Sequence, residues 1–144
     1  VRDLVSELGT VAAWRVAIRP GKPLLVGSVR GTPIIGLPGN PVSAAITFEL
    51  FGRPAILAMQ GASATRRGRI AVRLGGAITT PESLETYVRV RLREGADGIP
   101  VAHLSGDQGS SMIRALAEAD ALLIVPVGVA DCAPGTVMPA IELT

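Results

Sequence analysis

"GLPGNPVSAAITFEL", residues 36–50, sets two prolines, two glycines and an asparagine ahead of an apolar run. Asn40 suits the N-cap, and Pro41 suits the first helical position, because its missing N–H would be unpaired there anyway. The run behind them predicts a helix over about 41–59, with Val42, Ala45, Ile46, Phe48 and Leu50 supplying apolar contacts. Gly39 permits a tight turn in front of that helix, and Pro38 and Pro41 stiffen it before any ligand arrives. The Val42–Ala44 amides and the Ser43 hydroxyl would then converge on one spot. A helix N-terminus behind a glycine turn attracts phosphate or another oxyanion. A well-capped helix with no ligand explains the same residues, and at this level both readings stand.

Upstream, "VRDLVSEL" places Val1, Leu4, Val5 and Leu8 on one helical face, and Gly9 can end the helix. "VAAWRVAI" (11–18) predicts a strand with Val11, Ala13, Arg15 and Ala17 on one face and Trp14, Val16 and Ile18 on the other. "RPGKP" (19–23) predicts a rigid turn, since both prolines fix φ and Gly21 permits positive φ. "LLVGSV" and "TPIIGL", separated by "RG", predict two paired strands. The small, polar stretch "QGASATRRG" (60–68) is the expected linker.

Beyond it the texture changes to alternation. "RIAVRL" and "YVRVRLR" interleave basic and apolar residues, so Arg89, Arg91 and Arg93 share one strand face and Val88, Val90 and Leu92 the other. "GIPVAHL", "ALLIVPV" and "TVMPAIEL" add three short strands. One helix is expected at about 109–119, opening at Gly109 and Ser110. Five closely spaced strands with one helix predict a small half-open barrel or sandwich.

The chain has 144 residues, 48% hydrophobic and 18% charged, which excludes a disordered segment. No uninterrupted apolar run approaches the roughly 18 residues of a membrane span, so no membrane partner is expected. The single cysteine, Cys132, excludes an internal disulfide framework and agrees with a cytoplasmic address. With His103 also alone, a His/Cys metal cluster cannot be assembled. Charge is uneven: no Asp or Glu occurs between Glu7 and Glu49, a stretch that contains Arg15, Arg19, Lys22 and Arg30. Cations without local counter-ions point to an external anion. Four aromatics, none interleaved with a basic run, argue against nucleic acid. Lys22 is the only lysine among fourteen basic residues.

"WRVAIRPGKPLLVG", "GTPIIGLPGNPVSAAITFELFGRPAI" and "SGDQGSSM" together resemble the molybdopterin molybdenumtransferase family, the MoeA and gephyrin E-domain proteins. The resemblance runs from Val1 to Thr144 and covers the C-terminal third or so of such a protein. It implies an α/β fold for residues 1–63, as the C-terminal part of a doubly wound molybdopterin-binding domain. For residues 64–144 it implies a small, mostly β, barrel-like domain. The chain, which begins at Val1, is accordingly expected to be a fragment that is inactive alone, with apolar surface exposed.

The resemblance further implies insertion of molybdate into adenylylated molybdopterin with release of AMP. It implies Mg²⁺ as cofactor, with ligands upstream of Val1, and a homodimer. Arg15 and Arg19 fall where relatives carry basic residues, commonly lysine, that bear on the anionic ligand. A guanidinium fork there changes the geometry but keeps the charge. Lys22 in "PGKP" matches outright. These three are the candidate catalytic residues. Pro38, Gly39, Asn40, Pro41 and Ser43 are the candidate substrate-binding residues of the first domain. Arg89 and Ser110 fall at second-domain positions that face the functional cleft in relatives. Without the resemblance, Arg89 reads as a solvated strand residue and Ser110 as an N-cap. Two other classes remain open on the sequence: a scaffold of the gephyrin E-domain type, and an anion or pterin-nucleotide sensor without turnover.

Overall fold

The computed structural model describes residues 1–109 and 111–143. The chain forms two compact units, one over Val1–Arg66 and one from Arg67 onward, dividing inside the small polar stretch at 60–68.

The first unit is α/β. Helix α1 (Arg2–Leu8) runs into β1 (Gly9–Trp14) through Gly9, whose backbone is extended (φ −170°). β1 pairs antiparallel with β3 (Leu25–Val29), and β3 with β4 (Thr32–Gly36), giving the order β1-β3-β4. Two glycines let β1 and β3 approach this closely. A Cβ on Gly9 would lie 1.9 Å from the Ser28 carbonyl oxygen, and one on Gly27 would lie 2.3 Å from that of Thr10. The expected β3–β4 pair is present. Its two-residue turn, Arg30-Gly31, has φ of 50° and 79°, the left-handed pair of a type I′ hairpin.

The strand expected over 11–18 stops at Trp14. Arg15 takes φ 66°, and a register shift between Val11 and Ala13 has already broken the alternation. The chain then closes on itself: the Arg15 N–H donates to the Leu24 carbonyl at 2.9 Å and the Val16 N–H to that of Lys22 at 3.0 Å. Only Ile18–Arg19 (β2) returns to strand geometry.

The helix expected over 41–59 is continuous but not uniform. α2 (Pro41–Thr47) passes through a π turn (Phe48–Gly52) into α3 (Arg53–Met59). Pro54 has no N–H to return to the preceding turn, and its ring would crowd a regular α-helical carbonyl there. The widened turn relieves that conflict, with the Arg53 N–H reaching the Phe48 carbonyl. Phe48 lies over Gly52, where a Cβ would come 2.7 Å from the ring. At 19 residues this helix is long and apolar enough to cross a membrane by length and composition, although Glu49 and Arg53 interrupt its apolar run. Its outer side with β4 forms a groove of about 310 Å³ lined by Pro33, Ile35, Leu37, Phe48, Gly52, Ala55, Ile56 and Met59.

The second unit is a closed five-stranded barrel. β5 (Arg69–Leu74), β7 (Glu85–Arg93), β8 (Val101–Leu104), β9 (Ala121–Val125) and β11 (Val137–Glu142) follow the order β7-β8-β5-β11-β9, and β9 pairs back to β7. β5–β8 is parallel and the other pairs are antiparallel. These are the five strands expected, but the last pairing shuts a barrel that the sequence left half open. Closure removes the exposed strand edges. β6 (Ile78–Thr79) and β10 (Asp131–Cys132) add a two-stranded ribbon, and α4 (Ile113–Ala117) the only helix described in this unit. Val72, Leu74, Val88, Val90, Ala102, Ala121, Leu123, Val125, Met138 and Ala140 fill the interior with Cys132. Small and branched side chains suit so narrow a barrel.

Candidate functional site

In the first unit, Arg15, Arg19 and Lys22 all sit on the closed loop between β1 and β3, and all three are exposed. None forms an ion pair with a described residue. The left-handed backbone at Arg15 turns its guanidinium onto the indole of Trp14, 5.9 Å from the ring centroid, a cation–π contact. Gly21 presses this loop onto α2. Its φ is 118°, and a Cβ there would fall 2.3 Å from Thr47 Cγ2. Thr47 in turn donates its hydroxyl to the Ser43 carbonyl at 2.7 Å. The turn holding Lys22 and the helix that starts at Pro41 are therefore packed together.

The helix start itself differs from the expected cradle. Asn40 stands at the N-cap with φ −75° and ψ 128° but makes no side-chain cap bond, and Pro41 is exposed at the first helical position. The Ala44 amide is not free, because it donates to the Asn40 carbonyl at 2.8 Å. Val42 and Ser43 are buried, as is Pro38. Gly39 is exposed, and a Cβ on it would meet nothing within 4 Å. Its glycine is thus not required by crowding inside the chain, and the space before the helix is open.

In the second unit the central residue is Arg89. The alternation on β7 was read correctly, with Val88 and Val90 inside the barrel and Arg89 outside. A solvated Arg89 is nevertheless excluded, since only 1% of the residue is exposed. The loop after β8 covers it. Arg89 Nη2 donates to the Asp107 carbonyl at 3.0 Å and the Gly109 carbonyl at 3.2 Å. Nε and Nη1 are buried with no partner among the described residues. Burial pushes the guanidinium below its usual value, and the nearby Asp107 carboxylate opposes that shift. A guanidinium starts so far above neutrality that the charge is kept.

The same loop explains where the helix expectation failed. The Asp107 carboxylate accepts the Gly109 N–H at 2.7 Å, and the Gln108 side chain reaches β7. With these groups engaged, the helix begins only at Ile113, behind Met112. Gly109 is in the loop, and the expected role of Ser110 lies outside the described residues. Sequence reasoning missed Gln108, Ser105 and Trp14. A polar residue flanked by Gly106 and Gly109 was the available signal for Gln108, and Arg15 beside the only tryptophan was the signal for Trp14.

Among the described residues, no group of three or more His, Cys, Asp or Glu could hold a metal ion. The described residues do not fit a magnesium site.

Comparison with known proteins places the chain. A family model described as the MoeA C-terminal region (domain IV) matches residues 71–143, and one described as a probable molybdopterin binding domain matches residues 1–58. Molybdopterin molybdenumtransferase 2 of Mycobacterium tuberculosis is 38% identical over 130 residues, covering 90% of this chain and 31% of that protein. The molybdenum cofactor synthesis protein cinnamon of Drosophila melanogaster is 34% identical over 146 residues, covering 97% of this chain and 24% of that protein. The molybdopterin biosynthesis moea protein from Pyrococcus horikosii superposes with a TM-score of 0.78 at 26% identity, covering 99% of this chain and 34% of that one. The chain therefore spans between about a quarter and a third of the length of these relatives.

Proposed function

The chain belongs to the family of molybdopterin molybdenumtransferases, and on that premise we propose that it supplies the oxyanion-holding part of such an enzyme. The full-length protein acts in molybdenum cofactor biosynthesis, inserting molybdate into adenylylated molybdopterin and releasing AMP. Both substrates are anions. The observation that carries the reading is Arg89, a buried guanidinium with Nε and Nη1 unused among the described residues. A buried donor without a partner costs about 1–3 kcal/mol, and more for a charged group, unless something accepts its hydrogen bond. An oxyanion such as molybdate does so.

Arg15, Arg19 and Lys22 supply exposed positive charge on one loop. Their role is to draw in and orient phosphate and molybdate oxygens, with Gly39 leaving room before α2. Pro38, Asn40, Pro41 and Ser43 shape the start of the helix packed beside that loop. The scaffold alternative finds no anchor in Tyr87, the only aromatic beyond residue 66, because it is buried.

The test is AMP release by the full-length protein, measured against molybdate and Mg²⁺ concentration. Wild type should depend on both. Arg89→Ala should lose on the order of 10- to 100-fold in kcat/KM for molybdate, the size of one charge-assisted interaction. AMP release that ignores molybdate, or Arg89→Ala at wild-type rate, overturns the reading. The homodimer belongs to the same proposal, and light scattering on the full-length protein should give twice the chain mass; a monomer contradicts it.

A further inference from the structure

β9 flanks Arg89 on one side, opposite Leu122, and on the other, where the pairing with β8 has ended, Gln108 joins the Arg89 main chain. Its Oε1 accepts the Arg89 N–H at 2.9 Å, and its Nε2 donates to the Arg89 carbonyl at 3.1 Å. Nε2 also donates to the Gly106 carbonyl at 2.9 Å. β8 pairs with β7 only from Val101 to Leu104, and the Ser105 N–H adds one bond to the Arg89 carbonyl at 3.1 Å. Beyond that point the Gln108 carboxamide stands in for a neighbouring strand, offering one acceptor and one donor to the same residue, as backbone pairing would.

This substitution has a geometric result. The residues on either side of Gln108, Asp107 and Gly109, supply the two carbonyls that hold Arg89 Nη2. Fixing residue 108 on the Arg89 backbone therefore fixes the two acceptors around the Arg89 side chain. A guanidinium has five N–H donors. Nη2 uses its two here, and the three on Nε and Nη1 are left in a set orientation. The Ser105 hydroxyl, 2.6 Å from the Ala115 carbonyl, ties the start of the same loop to α4.

We propose that Gln108 is a positioning residue for oxyanion binding: its carboxamide, clamped to the Arg89 main chain, holds the 105–109 loop so that Arg89 presents Nε and Nη1 to a tetrahedral oxyanion. This rests on the reading of Arg89 as an oxyanion-holding residue. Gln108 itself does not touch the anion, and it acts through the orientation of Arg89.

Calorimetric titration of inorganic molybdate into the full-length protein tests this, with the melting temperature recorded for each variant. Arg89→Ala probes the underlying reading, and Gln108→Met and Gln108→Glu probe the clamp. Met keeps the bulk without hydrogen bonds, while Glu keeps the acceptor for the Arg89 N–H and so carries the test where Met does not fold. Well below its melting temperature, each folded Gln108 variant should bind molybdate about tenfold more weakly, as loss of an outer partner of a binding group does. Its KM for molybdate should rise more than its kcat falls. Folded Gln108 variants with wild-type molybdate affinity, beside an impaired Arg89→Ala, overturn the positioning role and leave Gln108 as a structural residue. Wild-type affinity in Arg89→Ala overturns the reading beneath it and the inference together.

Discussion

Single residues decide how close the two motifs of the first unit come. Gly21 combines φ 118° with a position 2.3 Å, Cβ to Cγ2, from Thr47, whose hydroxyl is held by the Ser43 carbonyl. Gly21→Ala should therefore cost about 1–3 kcal/mol, since it meets both a left-handed backbone and a side chain that cannot swing away freely. Chemical denaturation of the full-length protein measures this. Adding Thr47→Ala should return part of the loss by removing the methyl group and leave the backbone part. An unchanged midpoint in Gly21→Ala would mean that the loop does not rest on α2. Arg15 shows the reverse economy, a non-glycine residue at φ 66° that gains a stacked indole. Nothing in "VAAWRVAI" announces that reversal, because a left-handed arginine carries no compositional sign. The strand expectation therefore ran four residues too far.

At the scale of elements, Glu118 at the end of α4 ties that helix to β7, beside the Ser105–Ala115 bond that holds it to the loop after β8. Glu118 accepts from Arg91 on β7 and, at 2.7 Å, from Arg114 on its own helix. Arg114 and Arg91 together hold the Glu118 carboxyl below its ordinary range. A carboxyl lowered on folding adds stability that is complete above its unfolded value and is lost as pH falls through the folded one. In acid unfolding of the full-length protein, Glu118→Gln should therefore show its full stability deficit above about pH 4, the ordinary carboxyl range. Below that the deficit should shrink, and the two curves should meet only once pH has fallen through the lower folded value. Equal stability across the whole range would show that the staple contributes nothing. The short helix also shows why its boundary was hard to read. "SGDQGSSM" has good capping residues, but Asp107 and Gln108 are drawn to Gly109 and Arg89, so the loop extends to Met112 before the helix starts.

For the whole molecule, what was legible followed from local period. Alternating residues marked two of the barrel strands, β5 and β7, short apolar runs marked the other three, and the β3–β4 pair was visible as two apolar runs around "RG". Closure of the barrel was not legible, because β9 returning to β7 depends on the register of strands far apart in sequence. Burial of Arg89 was hidden for a related reason: alternation gives the face of a strand, not what later covers that face. The acid-free stretch did mark the basic loop of the first unit, whose three cations lie exposed. Molybdate held by Arg89 can be seen directly. Crystals of the full-length protein grown with molybdate should show anomalous density for molybdenum within hydrogen-bonding reach of Arg89 Nε or Nη1. Full occupancy elsewhere, with the Arg89 guanidinium still sealed and its donors facing no anion, would contradict the account.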